Sequence, residues 1–190
     1  MKLILDFDDT LFDSAKLKEN FFEILGKNGV LRASEQYHYE RKDDRPFSLR
    51  LFVKRLCSEA GITEASADRM YDEIVGISSN LLDPALVRIM RELGSENCIL
   101  VTNGDEDFQG DKIRISGARE LVGEYVIVPG TKKQVVEWIC QKYPQEKVVF
   151  VDDKQKFFDD LDLEKCRNLK TVLYDENGLA NLKKTVGESR

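Results

Sequence analysis

Four short apolar runs stop abruptly at polar residues: Leu3-Ile4-Leu5, Cys98-Ile99-Leu100-Val101, Tyr125-Val126-Ile127-Val128 and Val148-Val149-Phe150-Val151. Thr171-Val172-Leu173-Tyr174 is a fifth candidate. Continuous runs this short, rich in β-branched residues, predict strands buried on both faces of a parallel sheet. Helical patterns alternate with the last four. Asp83-Pro84 has an N-cap residue followed by proline at the first helical position, and Gly94 is a stop. Thr131 is expected to cap a helix from Lys132 that carries Val135, Val136 and Ile139 on one face and ends before Pro144. A shorter helix is expected over Arg119 to Val122. This βαβα rhythm predicts an α/β protein with a doubly wound, Rossmann-like parallel sheet.

One interval breaks the rhythm. More than eighty residues separate the first strand from Asn97, and they contain no convincing strand. Phe21, Phe22, Ile24 and Leu25 predict one helix, Leu49, Phe52, Val53 and Leu56 another, and Met70, Tyr71, Ile74, Val75 and Leu81 a third. The expected division is a core of residues 1–13 and 83–190, with residues 14–82 as an inserted helical cap. A chain of 190 residues with 42% hydrophobic content can bury a core of that size.

In an open parallel sheet, ligands sit outside the carboxyl ends of the strands. Asp6-Phe7-Asp8-Asp9-Thr10 follows the first strand and Thr102-Asn103-Gly104 the second. Thr131-Lys132-Lys133 follows the third and Asp152-Asp153 the fourth. Carboxylates crowded at a buried edge need compensating positive charge. One lysine does not suffice, so a divalent cation is expected, and oxygen-only donors favour Mg²⁺ over zinc. Metal, lysine, hydroxyl and backbone amides together make a site for a phosphoryl group. One carboxylate can attack it as a nucleophile, and a second can move the leaving-group proton.

At this point the chain resembles the haloacid dehalogenase-like (HAD) phosphohydrolase superfamily, subfamily I. Asp6-Phe7-Asp8-Asp9-Thr10 is similar to its DxDxT motif, Thr102 to its second motif and Lys132 to its third. Asp152-Asp153 is similar to the DD form of its fourth motif, and the helical insertion to its C1-type cap. The resemblance implies that Asp6 is the nucleophile and a metal ligand. It implies that Asp8 is the acid/base, with its backbone carbonyl on the metal. Thr102, Asn103 and Lys132 would bind the phosphate. Asp153 would bind Mg²⁺ directly, with Asp152 in direct or water-mediated support. Lys133 remains an alternative to Lys132. The longer GDxxxD form of the fourth motif is absent, and Asp159 and Asp160 are expected at the surface.

The remaining polar residues carry plainer expectations. Asp9 reads as a turn residue and Asp13 as a helix cap beside Ser14, while Asp105-Glu106-Asp107 reads as a solvated loop. Trp138 is expected in the core, and His38 at the surface or packed in the cap. Arg41, Lys42, Arg45 and Arg50 make the cap locally basic, so that one or two could meet an anionic substrate. Overall the balance is acidic: 35 Asp and Glu against 29 Lys and Arg, a net charge of −6. That disfavours nucleic-acid and anionic-membrane partners. The four cysteines form no metal-binding pattern and predict reduced thiols in a cytoplasmic protein. No signal peptide or apolar run of roughly 18 residues is visible.

The expected activity is a Mg²⁺-dependent phosphatase for a small phosphorylated metabolite, in a monomer or small homo-oligomer. A phosphomutase or phosphotransferase would use the same residues. Dehalogenation needs no second aspartate, so Asp8 argues against it. A phospho-accepting or regulatory binding protein without turnover is the alternative of a different class.

Overall fold

The structure is a computed structural model that describes residues 1–30 and 46–187. Strands β1 (Lys2–Leu5), β2 (Cys98–Asn103), β3 (Glu124–Val128), β4 (Val148–Asp152) and β5 (Leu169–Leu173) form one all-parallel sheet. Their order is β3-β2-β1-β4-β5. The chain winds outward from β1 to β3 and then returns to the other side of β1. The strand order therefore reverses between β1 and β4, where such sheets open a crevice at their carboxyl ends.

Alternation along the central strands supplies two cores. Leu3, Leu5, Leu100, Val149 and Val151 face one side, and Ile4, Ile99, Val101, Val148 and Phe150 face the other. Full burial of an aliphatic or aromatic side chain contributes about 1.5–3 kcal/mol, so these ten residues commit the sheet to being covered on both faces. Burial on both faces holds for β1, β2 and β4 only. The edge strands β3 and β5 are partly open, and Tyr125 is 39% exposed. The fifth strand also begins at Leu169, ahead of the run Thr171–Tyr174 that suggested it.

Helices α1 (Ser14–Lys27), α2 (Leu49–Glu59) and α3 (Glu64–Gly76) lie between β1 and β2. Each buries the stripe its spacing predicts: Phe21, Ile24 and Leu25 in α1, Phe52, Val53 and Leu56 in α2, Met70, Tyr71, Ile74 and Val75 in α3. Leu81 falls beyond α3, after a 3₁₀ turn over Ile77–Asn80. The chain leaves and returns through paired segments: Asp13 N donates to Leu81 O at 2.9 Å, and Asp83 N to Leu11 O at 2.8 Å. These helices share one continuous apolar cluster with a face of the sheet.

Helix α4 (Pro84–Leu93) starts as expected, with Asp83 accepting from Ala85 N and Leu86 N, and ends at Gly94 with φ +85°. Helix α5 (Glu106–Ile115) corrects the solvated loop expected at Asp105-Glu106-Asp107. Asp105 caps it by accepting from Phe108 N, and the two acidic residues fill its first turn, where the helix dipole favours them. The short helix near Arg119 is a 3₁₀ turn over Ala118–Leu121.

Helix α6 (Lys133–Lys142) begins one residue later than expected, with Lys132 at the cap position and Thr131 Oγ1 accepting from Lys133 N. Its inward stripe is Val136, Ile139 and Cys140, so Trp138 falls on the outer side and is 48% exposed, a correction to its expected core position. Helices α7 (Lys156–Asp159) and α8 (Gly178–Gly187) complete the layers. All four cysteines are buried free thiols. Burial pushes Cys98 and Cys140 up to about 12, which keeps them protonated and unreactive. Among the described residues, no helix is long and apolar enough to cross a membrane.

Candidate active site

The first strand delivers Asp6 to the switch point. Its backbone N–H donates to Val151 O on β4 at 2.9 Å, and its side chain is buried. From the start of α6, the fully buried Lys132 reaches across the sheet edge. Its Nζ stands 2.6 Å from Asp6 Oδ1 and 2.6 Å from Asp152 Oδ2, over the ring of Phe157 at 4.5 Å. Lys133 points elsewhere, to Glu137 at 3.7 Å. The structure thus distinguishes the two candidate lysines, and Lys132 is the one at the carboxylates.

Asp6, Asp152 and Asp153 bring one oxygen each within 4.8 Å of one another. Asp152 is fully buried, with Oδ2 on Lys132 and Oδ1 accepting from Lys154 N at 2.9 Å. Asp153 is half-buried beside the Lys154 ammonium at 3.2 Å. Burial, with the nearby Asp152 carboxylate, pushes Asp6 up to about 7 although Lys132 opposes the rise. Asp152 is raised by burial as well. One ammonium does not balance this much buried negative charge.

Two hydroxyls carry a separate signal. Thr102 Oγ1 at the end of β2 and Thr10 Oγ1 beyond β1 are buried and have no hydrogen-bond partner. A buried donor left unpaired costs about 1–3 kcal/mol, and both stand in the segments that frame the carboxylates. Asn103, the next residue, is exposed at the rim of a cavity of about 590 Å³. Asp8, Gly104, Lys112 and Lys154 also line it.

Asp8 sits differently from Asp6. Its Oδ1 accepts from Ser14 Oγ at 2.6 Å and pairs with the Lys112 ammonium, and its Oδ2 accepts from Gln109 Nε2 at 2.6 Å. Burial alone would raise its pKa, but Lys112, Ser14 and Gln109 outweigh it and hold the carboxyl below the usual range. Two carboxylates two residues apart therefore occupy opposite environments. Asp9 is an exposed turn residue with φ +61°, and Asp13 caps α1 by accepting from Lys16 N. Asp159 and Asp160 are exposed, as expected.

Ser14, Gln109 and Lys112 are the site residues that sequence reasoning missed. Asp105 followed by Glu106 and Asp107, with Lys112 and Arg114 in the last turn, is a helix signature that could have revealed α5. Nothing in the sequence marks Ser14 as a partner of Asp8. Arg50 stacks on the Tyr71 ring at 3.9 Å and pairs with Asp68 at 3.4 Å and Asp111 at 3.7 Å. His38, Arg41, Lys42 and Arg45 lie outside the described residues.

No protein-family model matches this sequence, and no curated protein matches it. Solved structures do match in fold. A haloacid dehalogenase-like hydrolase from Burkholderia xenovorans is 19% identical over 94% of this chain and 89% of its own, with a TM-score of 0.66. A β-phosphoglucomutase structure from Thermotoga maritima is 16% identical over 97% and 99%, with a TM-score of 0.59. YfnB from Bacillus subtilis, a HAD hydrolase bound to magnesium, is 17% identical over 97% and 97%, with a TM-score of 0.52. The chain has the haloacid dehalogenase-like fold. Dehalogenases are also among the matching structures, so the fold by itself does not choose a reaction.

Proposed function

We propose that this protein is a phosphatase that hydrolyses a small phosphorylated metabolite through an aspartyl-phosphate on Asp6, with Mg²⁺ as cofactor. The observation that carries the reading is the convergence of Asp6, Lys132 and the unpartnered Thr102 hydroxyl at one sheet edge, with Asp8 alongside. The donor set fits a hard cation: three carboxylates, no His or Cys, and negative charge that Lys132 does not balance. Asp6, Asp153 and the Asp8 carbonyl would hold it, with Asp152 in support. When bound, it would neutralise phosphoryl oxygens as charge develops on them.

The chain's own groups divide the remaining work. An Asp6 oxygen attacks phosphorus, the bond to the leaving oxygen breaks, and that oxygen takes a proton from the Asp8 carboxyl, which must take up that proton in the substrate complex because Lys112, Ser14 and Gln109 hold it ionised in the free protein. Lys132 steadies Asp6 and the phosphoryl group, while Thr102 Oγ1 and Asn103 donate to its oxygens. Water then attacks phosphorus and loses a proton to Asp8, and the bond to Asp6 breaks to release inorganic phosphate. Helices α1–α3 act as a cap over the site. Lys18 and Phe21 of α1 line the cavity opposite the core residues, which suits selection of the leaving group by this cap.

The testing experiment is a panel of phosphorylated metabolites and an aryl phosphate, assayed with Mg²⁺ and with EDTA. Release of inorganic phosphate that EDTA abolishes supports the reading. Stoichiometric phosphorylation without release would overturn it in favour of a phospho-accepting protein. The likeness to the phosphoglucomutase structure favours one second reading, phosphoryl transfer to another hydroxyl of the substrate. An isomeric phosphate ester in place of inorganic phosphate would identify it.

A further inference from the structure

Helix α5 places Gln109 and Lys112 three residues apart on one face, and both side chains are buried, at 4% and 2% exposed. Neither burial is explained by packing. The Lys112 ammonium lies among the rings of Phe108, Phe12 and Phe7, at 4.7, 5.2 and 5.4 Å from their centroids. An apolar side chain would fill that pocket without the desolvation cost of a charge. The anion it pairs with there is Asp8.

Gln109 shows the same pattern from its own side. Its Nε2 reaches Asp8 Oδ2 at 2.6 Å and Asn103 O at 3.3 Å, while its buried Oε1 has no partner. An amide placed for its own hydrogen bonding would not strand its acceptor. The chain also makes room for it. A Cβ at Gly104 would stand 2.7 Å from Gln109 Nε2, and the backbone there has φ +153°. With Ser14 Oγ on Oδ1 at 2.6 Å, both Asp8 oxygens are fixed by three donors from two helices.

We infer that Lys112 and Gln109 are positioning residues for Asp8, which fix the orientation of its carboxyl group from a helix of the core. The inference rests on the phosphatase reading above, in which Asp8 serves the leaving oxygen. Both contact the Asp8 carboxyl oxygens and act through them. Each acts by removing the rotational freedom that Asp8 would otherwise lose at the moment of reaction.

The test uses kcat/KM, which reports the step in which the leaving group departs, on two esters. An alkyl ester such as glycerol 2-phosphate needs a proton on its leaving oxygen, whereas 4-nitrophenyl phosphate releases a phenolate that leaves unaided. Lys112→Met and Gln109→Leu are expected to lower kcat/KM for the alkyl ester by about 10- to 100-fold, within the range that positioned proton transfer supplies. The aryl ester should lose less than about a tenth as much as the alkyl ester on that basis. In an Asp8→Asn background, Lys112→Met should produce no further discrimination between the esters. Equal losses on both esters, or none on either, would overturn the inference and leave the phosphatase reading intact. Wild-type protein that releases phosphate from neither ester nor any member of the metabolite panel would overturn the phosphatase reading, and the inference with it. Gln109→Leu strands no charge, so it carries the same test if Lys112→Met does not fold.

Discussion

Asp6 is held in place at an electrostatic cost. Its carboxyl rises from 3.8 to about 7 because burial, with the nearby Asp152 carboxylate, outweighs the opposing Lys132 ammonium. A carboxyl with a higher pKa folded than unfolded binds its proton more tightly in the folded state. Stability of the metal-free protein therefore falls as pH climbs from about 4 to about 7, and the penalty stays in full above that. Asp6→Asn removes the charge and leaves Lys132 paired with Asp152. It should abolish phosphatase turnover while raising stability at pH 8 by about 2 kcal/mol, with little change at pH 4. Thermal melts in EDTA at the two pH values check this. An Asn variant no more stable than wild type at pH 8 would show that Asp6 carries no such burden. Retained turnover would remove it as nucleophile.

At the scale of elements, helix termini do much of the placing. Asp83 caps α4 through Ala85 N and Leu86 N at 2.8 and 3.0 Å, and its other oxygen accepts from Tyr174 O–H at 2.9 Å. Asp83→Ala removes the cap and strands the phenol. It should cost about 2 kcal/mol in urea melts while leaving kcat/KM unchanged, because no group of the site depends on it. The capped start of α4 was legible in the sequence because capping and proline placement are local chemistry. Helix α5 was missed, although its Asp105 cap and its acidic first turn are equally local signals. Gln109 and Lys112 occupy buried positions where the apolar period calls for hydrophobic residues, so no apolar stripe marked the helix beyond Asp105-Glu106-Asp107. The positions that disguised the helix are those that hold Asp8.

The helices inserted after β1 meet the core at α5 as well. Tyr71 of α3 donates to Asp111 Oδ2 at 2.9 Å, and Arg50 of α2, stacked on Tyr71, stands 3.7 Å from the same carboxylate. Asp111 immediately precedes Lys112, so the helix that grips the insertion also grips Asp8. Tyr71→Phe keeps the buried ring and removes this bond, at a cost of about 1 kcal/mol. If the insertion opens as a unit, amide exchange should quicken in α2 and α3 while β1, β2 and β4 keep their protection. A uniform increase through the sheet would mean that insertion and core unfold together.

Sequence alone predicted the parallel sheet, an interval of helices after the first strand, and the meeting of Asp6, Thr102, a lysine of the Lys132-Lys133 pair and Asp152-Asp153 at one edge. Short apolar runs and strand-end chemistry are local, and parallel topology forces those ends together. Only the tertiary structure decided between Lys132 and Lys133, whose positions at the start of α6 differ by a single residue. It alone placed Trp138 outside, because one step around a helix turns a side chain from core to solvent. It alone brought Ser14, Gln109 and Lys112 onto Asp8, partners separated from it by up to 104 positions. Long-range pairing of polar groups leaves no periodic trace in a sequence.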